Sequence, residues 1–236
     1  MRSVAERVAR VAWERVGAEL DARGFACTGP ILTRTECRAL SRLYGDAERF
    51  RSRVVMARHG FGRGEYQYFA RPLPEIVSQL RSEVYPHLSP VANAWAARLG
   101  QERRFPGSLE ALQGECEAAG QTRPTPLLLR YGPDDYNCLH QDVYGDLVFP
   151  LQLAVLLSAP GEDFEGGELV LTEQRPRMQS RVEVVPLRQG EGVVFAVSHR
   201  PVAGTRGDYR VSMRHGVSRL RAGERFTLGV IFHDAA

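Results

Sequence analysis

Lysine is absent from this chain of 236 residues, and all 31 of its basic residues other than histidine are arginines. This absence excludes a lysine Schiff base, the lysine of a phosphate-binding loop and the strand lysine of a protein kinase. The chain also has little excess charge of either sign, because its net charge is only +3 with histidine neutral. The chain therefore carries no strong nucleic-acid signature.

Long apolar runs are also lacking, and no export signal is expected. The longest apolar stretch, residues 147–157, is interrupted by Pro150 and Gln152, so no transmembrane helix is expected. The first twenty residues mix arginine and glutamate into the apolar positions, unlike a signal peptide. The four cysteines contain no C-x-x-C pair. We therefore expect a cytoplasmic protein with reduced thiols and no membrane contact.

The first half of the chain has the apolar periodicity of helices. A stripe over residues 4–20 predicts one helix that Gly24 ends, and Thr33 or Thr35 is expected to cap the next one. The glycine-rich segment 59–64 has Glu65 where a dinucleotide-binding fingerprint needs its third glycine, so it is interpreted as a mobile loop. Further helices are predicted over residues 74–80, 90–99 and 109–119.

The second half has the pattern of an antiparallel β protein. Short β-type segments are separated by glycine, proline and aspartate, which favours a sandwich or barrel over a parallel sheet. We expect one α+β domain over residues 1–236, with 1–125 as mainly helical support that includes short strands and 126–236 as the β core. The predicted strands of the core are residues 127–131, 147–157, 168–172, 182–187, 193–197, 209–214 and 226–232.

Residues suited to a metal site are concentrated in this β core. His140 and Asp142 are two residues apart, so on an extended chain both side chains point to one side. With His215 they make two imidazoles and one carboxylate, a set that binds Fe(II) and leaves positions open. Arg225, ten residues after His215, can hold the far end of a dicarboxylate, and Thr227 faces the same way on a strand.

With these motifs the chain resembles the Fe(II)/2-oxoglutarate-dependent oxygenases, and most closely their prolyl-4-hydroxylase-type branch. The Gly166-Gly167 pair matches that family's turn between barrel strands, and residues 24–37 match its entry segment. The resemblance touches nearly the whole chain, but only residues 127–234 carry specific motifs. That stretch is also similar to a bacterial group known generically as 2-oxoglutarate/iron oxygenases.

The resemblance implies a fold, a set of cofactors and a reaction. The fold would be a double-stranded β-helix, a jelly-roll barrel, braced by the N-terminal helices. The enzyme would use Fe(II), 2-oxoglutarate and O2 to hydroxylate a substrate C–H bond and release succinate and CO2. The residues it assigns are His140, Asp142 and His215 for Fe(II), and Arg225, Thr227 and Tyr131 for 2-oxoglutarate.

A second histidine competes for the distal ligand position. His199 follows an apolar run and has Arg210 eleven residues after it. Arg210, however, precedes another predicted strand instead of lying on the last one, where Arg225 is found. We therefore favour His215, and expect His199 to border the substrate opening or to lie in a surface turn.

Three more residues have alternative interpretations. Cys138 shares the periodicity of the H-x-D pair, so a zinc site built on these residues is an alternative, although it leaves His215 unexplained. Gln152 interrupts an apolar strand and is a candidate for pointing into the barrel. Arg175 lies in a polar insertion, residues 172–181, that is either plain surface or a substrate contact.

The substrate is the point at which the sequence leaves the alternatives open. A peptidyl, prolyl-type side chain fits the branch that the chain resembles, and a small metabolite is another option. Oxidative demethylation of an alkylated nucleic-acid base needs an aromatic pocket and a basic channel. A jelly-roll module that binds metal or ligand without catalysis is the alternative from another class. Candidates for the base pocket are Phe61, Tyr66, Tyr68 and Phe69, near Arg58, Arg63 and Arg71.

Overall fold

The computed structural model describes residues 2–143 and 145–236. Within these residues no helix is both long and apolar enough to cross a membrane. Short 3-10 turns flank the first strands after the third helix. The α-helices are α1 (Val4–Val8), α2 (Trp13–Arg23), α3 (Arg34–Arg42), α4 (Glu75–Arg98) and α5 (Leu109–Ala118).

The strands occur along the whole chain and pair antiparallel. Both the predicted helical part and the predicted β core contribute strands. They are β1 (Phe25–Pro30), β2 (Phe50–Val55), β3 (Gly62–Arg63), β4 (Glu65–Phe69), β5 (Leu127–Tyr131), β6 (Tyr136–His140), β7 (Leu151–Leu156), β8 (Phe164–Gly166), β9 (Leu169–Gln174), β10 (Arg181–Val185), β11 (Glu191–Ala196), β12 (His199–Gly204), β13 (Gly207–Val217), β14 (Leu220–Gly223) and β15 (Arg225–Val230).

Two large sheets form the barrel. The larger sheet has the strand order β1-β11-β7-β15-β5-β4-β2, and the smaller has β10-β9-β13-β6-β3, with β12 paired to β13. A hydrophobic cluster draws side chains from both sheets, among them Tyr131 and Phe195 from the larger and Leu171 from the smaller. The sheets therefore face each other across a shared core, as the α+β jelly-roll prediction requires.

The central strands of the larger sheet are buried on both faces, which explains their nearly continuous apolar sequences. On β7 and β15, Leu153 and Leu228 join the cluster that packs against the helices. Their neighbours Gln152 and Thr227 point to the opposite face, towards the smaller sheet, because side chains alternate along a strand. These two polar residues are buried. They therefore mark the inner face of the barrel.

The helix predictions need two corrections. The stripe over residues 4–20 is divided between α1 and α2, and Gly24 ends α2 in the left-handed conformation as predicted. The segments 74–80 and 90–99 belong to one helix, α4, with Pro86 and Pro90 inside it. Each proline removes a backbone donor. Core packing along the apolar face of α4 outweighs that loss, because α4 carries ten buried residues.

The start of α3 and the glycine-rich segment are also defined. Thr33 caps α3, and Glu36 completes a capping box by accepting from the Thr33 backbone N–H at 2.7 Å. The segment expected as a mobile loop contains β3, which pairs with β6. Gly62 has φ +125°, and a Cβ there would lie 2.4 Å from the Tyr136 carbonyl oxygen. Glycine is what allows this close strand pairing.

Candidate active site

His140, Asp142 and His215 come together at the end of the smaller sheet. His140 on β6 is the direct cross-strand partner of His215 on β13. Asp142 Oδ1 lies 3.4 Å from His140 Nε2, and its Oδ2 lies 3.2 Å from His215 Nε2. The three candidate ligand atoms all lie within 4.8 Å of one another. Residues 73 positions apart in the chain are thus brought to one point by the pairing of two strands.

Hydrogen bonds orient these side chains. The Nδ1 atom of His140 lies 2.8 Å from the Cys138 carbonyl oxygen. A carbonyl only accepts, so Nδ1 carries a proton, and Nε2 is the ring nitrogen that faces Asp142. Gln152 Nε2 donates to Asp142 Oδ2 at 2.9 Å. This hydrogen bond assigns Gln152 to the site, as its position inside an apolar strand suggested.

The three groups have shifted pKa values. Burial alone would raise the pKa of Asp142, but the charge of His215 and the hydrogen bonds from both histidines hold it well below its ordinary value. Burial lowers the pKa of His215, and the attraction of Asp142 does not offset it. For His140 burial is outweighed by the hydrogen bond and charge of Asp142, so its pKa is raised. A carboxylate that stays ionised in a buried place suits a cation.

Arg225 lies on the facing sheet and is 2% exposed. It is the cross-strand partner of Tyr131, and its guanidinium carbon lies 5.6 Å from the Tyr131 ring centroid and 5.8 Å from that of Phe164. Its NH1 donates to Thr227 Oγ1 at 2.6 Å, whereas its Nε has no hydrogen-bond partner in the described part of the chain. Burial lowers the pKa of Arg225 to about 10.

A glycine makes room for this guanidinium. Gly167, in the turn that the resemblance singled out, has φ +62°, and a Cβ there would lie 3.0 Å from Arg225 Cδ and 2.6 Å from Leu220 Cδ1. A larger residue would therefore press on the arginine as well as strain the backbone. The Gly-Gly turn thus helps to fix the position of Arg225.

One cavity connects the two groups of residues. It has a volume of ≈ 330 Å³ and lies between the sheets. Its walls are largely aliphatic and aromatic, with the polar side chains concentrated around the histidines and the arginine. Predicted site residues that line it are His140, Asp142, His215, Gln152, Tyr131, Arg225 and Thr227.

Three predicted residues lie elsewhere or have another contact. His199 is the cross-strand partner of Ser212. Ser212 is three residues before His215, so Ser212 and His199 both face the side of the sheet opposite to His215. Arg175 does not line the cavity, and its Nε donates at 2.7 Å to the buried Glu173. Cys138 lines the cavity, but it is not part of the three-residue cluster. The geometry therefore favours the surface interpretation of Arg175 over a substrate contact, and it does not favour the zinc alternative.

The sequence interpretation missed residues that complete the site. Asn137 and Phe195 line the cavity, and the Phe195 ring centroid lies 4.7 Å from that of His215. The Gln141 side chain donates to the Met213 carbonyl oxygen on β13. Strand β6 was not predicted as a separate element, so the sequence had no signal for Asn137. Gln141 is visible in the sequence only as the middle residue of the H-x-D motif.

The residues present fit Fe(II) and 2-oxoglutarate. Two imidazoles and one carboxylate with converging donor atoms are the ligand set of the non-haem iron oxygenases. The buried, incompletely paired guanidinium of Arg225 needs an anion, and the far carboxylate of 2-oxoglutarate supplies one. Both sites open onto the same cavity, so one small dicarboxylate can reach from the metal position to the arginine.

Comparison with known proteins identifies a family. A family model named Oxygenase-NA, described as "Oxygenase, catalysing oxidative methylation of damaged DNA", matches residues 64–235. An uncharacterized protein of Mycobacterium tuberculosis, found in strains CDC 1551 and H37Rv, is 51% identical over 168 residues. This match covers 71% of this chain and 72% of the relative.

Solved structures share the fold at low sequence identity. A Pseudomonas putida prolyl-4-hydroxylase has a TM-score of 0.55 at 16% identity, covering 95% of this chain and 100% of that one. A 2OG-Fe(II) oxygenase family oxidoreductase from Burkholderia pseudomallei has a TM-score of 0.52 at 16% identity, and the match covers 96% of this chain and 94% of that one. A prolyl hydroxylase from Trichoplax adhaerens, solved with a hypoxia inducible factor peptide, has a TM-score of 0.53 at 14% identity. This match covers 97% of this chain and 91% of that one.

These findings confirm the expected superfamily, the double-stranded β-helix and the enzymatic class. The solved neighbours include the prolyl hydroxylases that the sequence resembles. An oxygenase of this fold uses Fe(II), 2-oxoglutarate and O2. The chain belongs to the Oxygenase-NA family and is an oxygenase with the fold of the Fe(II)- and 2-oxoglutarate-dependent enzymes.

Proposed function

We propose that this oxygenase removes an alkyl group from a damaged base of DNA by hydroxylating the carbon attached to nitrogen. The observation that carries the substrate assignment is an exposed aromatic ring that lines the cavity, that of Phe61, which stacks on His59, together with the family match. The assignment departs from the prolyl-type substrate that the sequence resemblance favoured.

The cofactor assignment follows from the geometry of the site. His140, Asp142 and His215 would hold Fe(II), which on binding supplies the means to activate O2. Arg225 would pair with the far carboxylate of 2-oxoglutarate, and the Thr227 hydroxyl keeps the guanidinium in position. These residues exclude bulk water from the cosubstrate, because Arg225 and Thr227 are both buried.

The reaction balances with the established cosubstrates. One oxygen atom of O2 enters succinate as 2-oxoglutarate loses CO2, and the other enters the N-methyl C–H bond as a hydroxyl group. The N–CH2OH product then breaks its C–N bond, which releases formaldehyde and returns the proton to the base nitrogen. No further oxidant or reductant is needed.

Aromatic side chains suit a planar substrate. Phe61 is 48% exposed, and its ring centroid lies 5.3 Å from that of His59 at an interplanar angle of 26°. Tyr66 lines the cavity deeper in and meets Tyr68 edge-on at 5.4 Å. An exposed ring at a cavity mouth offers a stacking surface for a base that leaves its helix. Phe69, also a candidate in the sequence, is a core residue.

Two arginines lie next to this aromatic pair in the chain. Arg58 and Arg63 are both exposed, and Arg63 approaches Asp135 only at 3.9 Å. Loosely held guanidinium groups beside a base-binding mouth suit contacts with backbone phosphates. Arg71, the third candidate, instead pairs with Asp234 at 2.5 Å. A basic region of this size agrees with the small net charge, since it needs only a few side chains.

Succinate release in the presence of defined substrates tests this proposal. With Fe(II) and 2-oxoglutarate, we expect N-methylated oligonucleotides to stimulate succinate and formaldehyde release, and proline-containing peptides and metabolite extracts to leave it at the background rate. Phe61→Ala is expected to raise KM for the oligonucleotide about tenfold, because stacking on one aromatic ring contributes about 1–3 kcal/mol.

A matched variant distinguishes an effect at the cavity from a general effect of removing an exposed apolar side chain. Val182→Ala removes an exposed apolar side chain that does not line the cavity, so KM is expected to stay at the wild-type value. Stimulation by a peptide and not by any oligonucleotide would restore the prolyl-type assignment. If none of the three substrate pools stimulates succinate release, the base assignment is contradicted, and the cofactor assignment still stands.

A further inference from the structure

Gln141 lies between two candidate metal ligands at a point where the strand pairing stops. Strand β6 ends at His140, and the pair of His140 with His215 lies at that end of the β6–β13 ladder. Asp142 lies beyond the strand. Ladder hydrogen bonds therefore fix the two histidines relative to each other, and the segment that carries Asp142 needs other contacts to keep its distance from His215.

The side-chain amide of Gln141 supplies such contacts. Its Nε2 donates to the Met213 carbonyl oxygen at 2.8 Å and to the Ser198 carbonyl oxygen at 2.9 Å, and lies 3.2 Å from Ser212 Oγ. An amide has two N–H hydrogens, so the two carbonyl groups take both and the hydroxyl shares one. Met213 is two residues before His215, on the strand that carries the third ligand.

The orientation of this amide is determined by its neighbours. The Ser198 carbonyl also accepts from the Met213 backbone N–H at 2.7 Å, which joins the turn before β12 to β13. Turning the amide over would bring its oxygen against two carbonyl oxygens, which repel it. The side chain therefore links three segments: the H-x-D motif, the strand of His215 and the turn before β12.

We propose that Gln141 is a positioning residue that sets the spacing between Asp142 and His215, and with it the affinity of the metal site. This inference rests on the proposed assignment of Fe(II) to His140, Asp142 and His215. Gln141 itself contributes no ligand atom. It acts through the backbone on both sides of the site, since one neighbour in the chain is His140 and the other is Asp142.

Two variants test this role by different means. Gln141→Glu keeps the size and shape but replaces the donor with an oxygen that faces two carbonyls, and Gln141→Leu removes the polar group. Outer-shell partners of metal ligands typically contribute about 10–100-fold to affinity, so we expect both variants to bind Mn(II) at least about tenfold more weakly. The measurement is an anaerobic titration of the metal-free enzyme followed by electron paramagnetic resonance, with no turnover.

Two further variants and a spectrum distinguish positioning from loss of stability. Gln189→Leu removes a similar donor, which bonds the Leu157 carbonyl at 2.7 Å away from the cavity, and is expected to keep the wild-type Mn(II) affinity. Ser212→Ala should also keep it, because the two carbonyl acceptors of Gln141 remain. The Co(II) absorption spectrum should change in the Gln141 variants and not in these two controls.

Each outcome decides a separate point. If the wild-type enzyme binds Mn(II) and the Gln141 variants bind it within about twofold, the positioning role is wrong and the metal site stands. If Gln189→Leu loses as much affinity as Gln141→Leu, the loss is one of general stability and the positioning role is again wrong. A wild-type enzyme that binds no metal would overturn the site and this inference with it.

Discussion

Arg225→Met is expected to weaken 2-oxoglutarate binding by about 100-fold while leaving metal affinity within about threefold of the wild type. The variant removes the buried guanidinium that would pair with the far carboxylate of the cosubstrate. Removing one partner of a buried charge pair commonly costs about 2–5 kcal/mol, and about 2.7 kcal/mol corresponds to 100-fold. Isothermal titration of 2-oxoglutarate into the Mn(II)-loaded protein measures it.

The stability of the ligand-free Arg225→Met protein, unlike its affinity for 2-oxoglutarate, is not expected to fall. Burial lowers the pKa of Arg225 from the ordinary value of an arginine to about 10. At about 1.4 kcal/mol per pKa unit, holding this cation in the ligand-free fold costs about 3 kcal/mol at neutral pH. Because the folded pKa is the lower one, the cost is fully present below pH 10 and disappears as the pH rises towards the ordinary pKa of an arginine.

Methionine removes that cost, so the ligand-free Arg225→Met protein should melt no lower than the wild type at neutral pH. Arg221→Met makes the same change of charge at an exposed position, and should change neither binding nor melting. A variant that loses metal and 2-oxoglutarate together, with a lower Tm, would mean that Arg225 supports the fold and not the cosubstrate.

His215→Ala is expected to abolish the metal site, and His199→Ala is expected to leave it intact. His215 directs Nε2 at Asp142 Oδ2, 3.2 Å away, inside the cavity. His199 pairs with Ser212 on the opposite face of the same sheet. Loss of a ligand should exceed the roughly 10–100-fold effect of an outer-shell change. Anaerobic titration with Fe(II) measures both variants.

The two histidine variants serve as each other's control. Each removes one imidazole from the same sheet, so a difference between them reports position and not composition. A loss of Fe(II) affinity in His199→Ala equal to that in His215→Ala would contradict the assignment. Wild-type Fe(II) affinity in His215→Ala would contradict it outright.

The positions of the candidate ligands could be predicted because they depend on short-range rules. Two residues apart on an extended chain, His140 and Asp142 must share a face, and the same rule relates Arg225 to Thr227. The choice of His215 over His199 rested on Arg225 lying on the last predicted strand, whereas Arg210 precedes another one. In the structure it depends on the register of β13 with β6 and β12, which the sequence does not reveal.

Other features could not be predicted because they depend on long-range packing. The sequence predicts two helices, residues 74–80 and 90–99, but α4 continues through Pro86 and Pro90 because its apolar face is buried. Arg175 was a candidate for substrate contact until the structure showed its hydrogen bond with Glu173. The sequence shows Gln141 only as the middle residue of the H-x-D motif, since its role depends on which atoms of β13 and of the turn before β12 lie within reach.

The most direct measurement of the central claim is the visible absorption of the Fe(II)-loaded protein as 2-oxoglutarate is added without oxygen. The claim is that His140, Asp142 and His215 bind the iron, and that Arg225 binds the far carboxylate of the 2-oxoglutarate that occupies the same cavity. It predicts a charge-transfer band that saturates at one 2-oxoglutarate per chain, is absent from His215→Ala and requires far more cosubstrate in Arg225→Met. A wild-type protein that binds both and develops no such band would contradict the account.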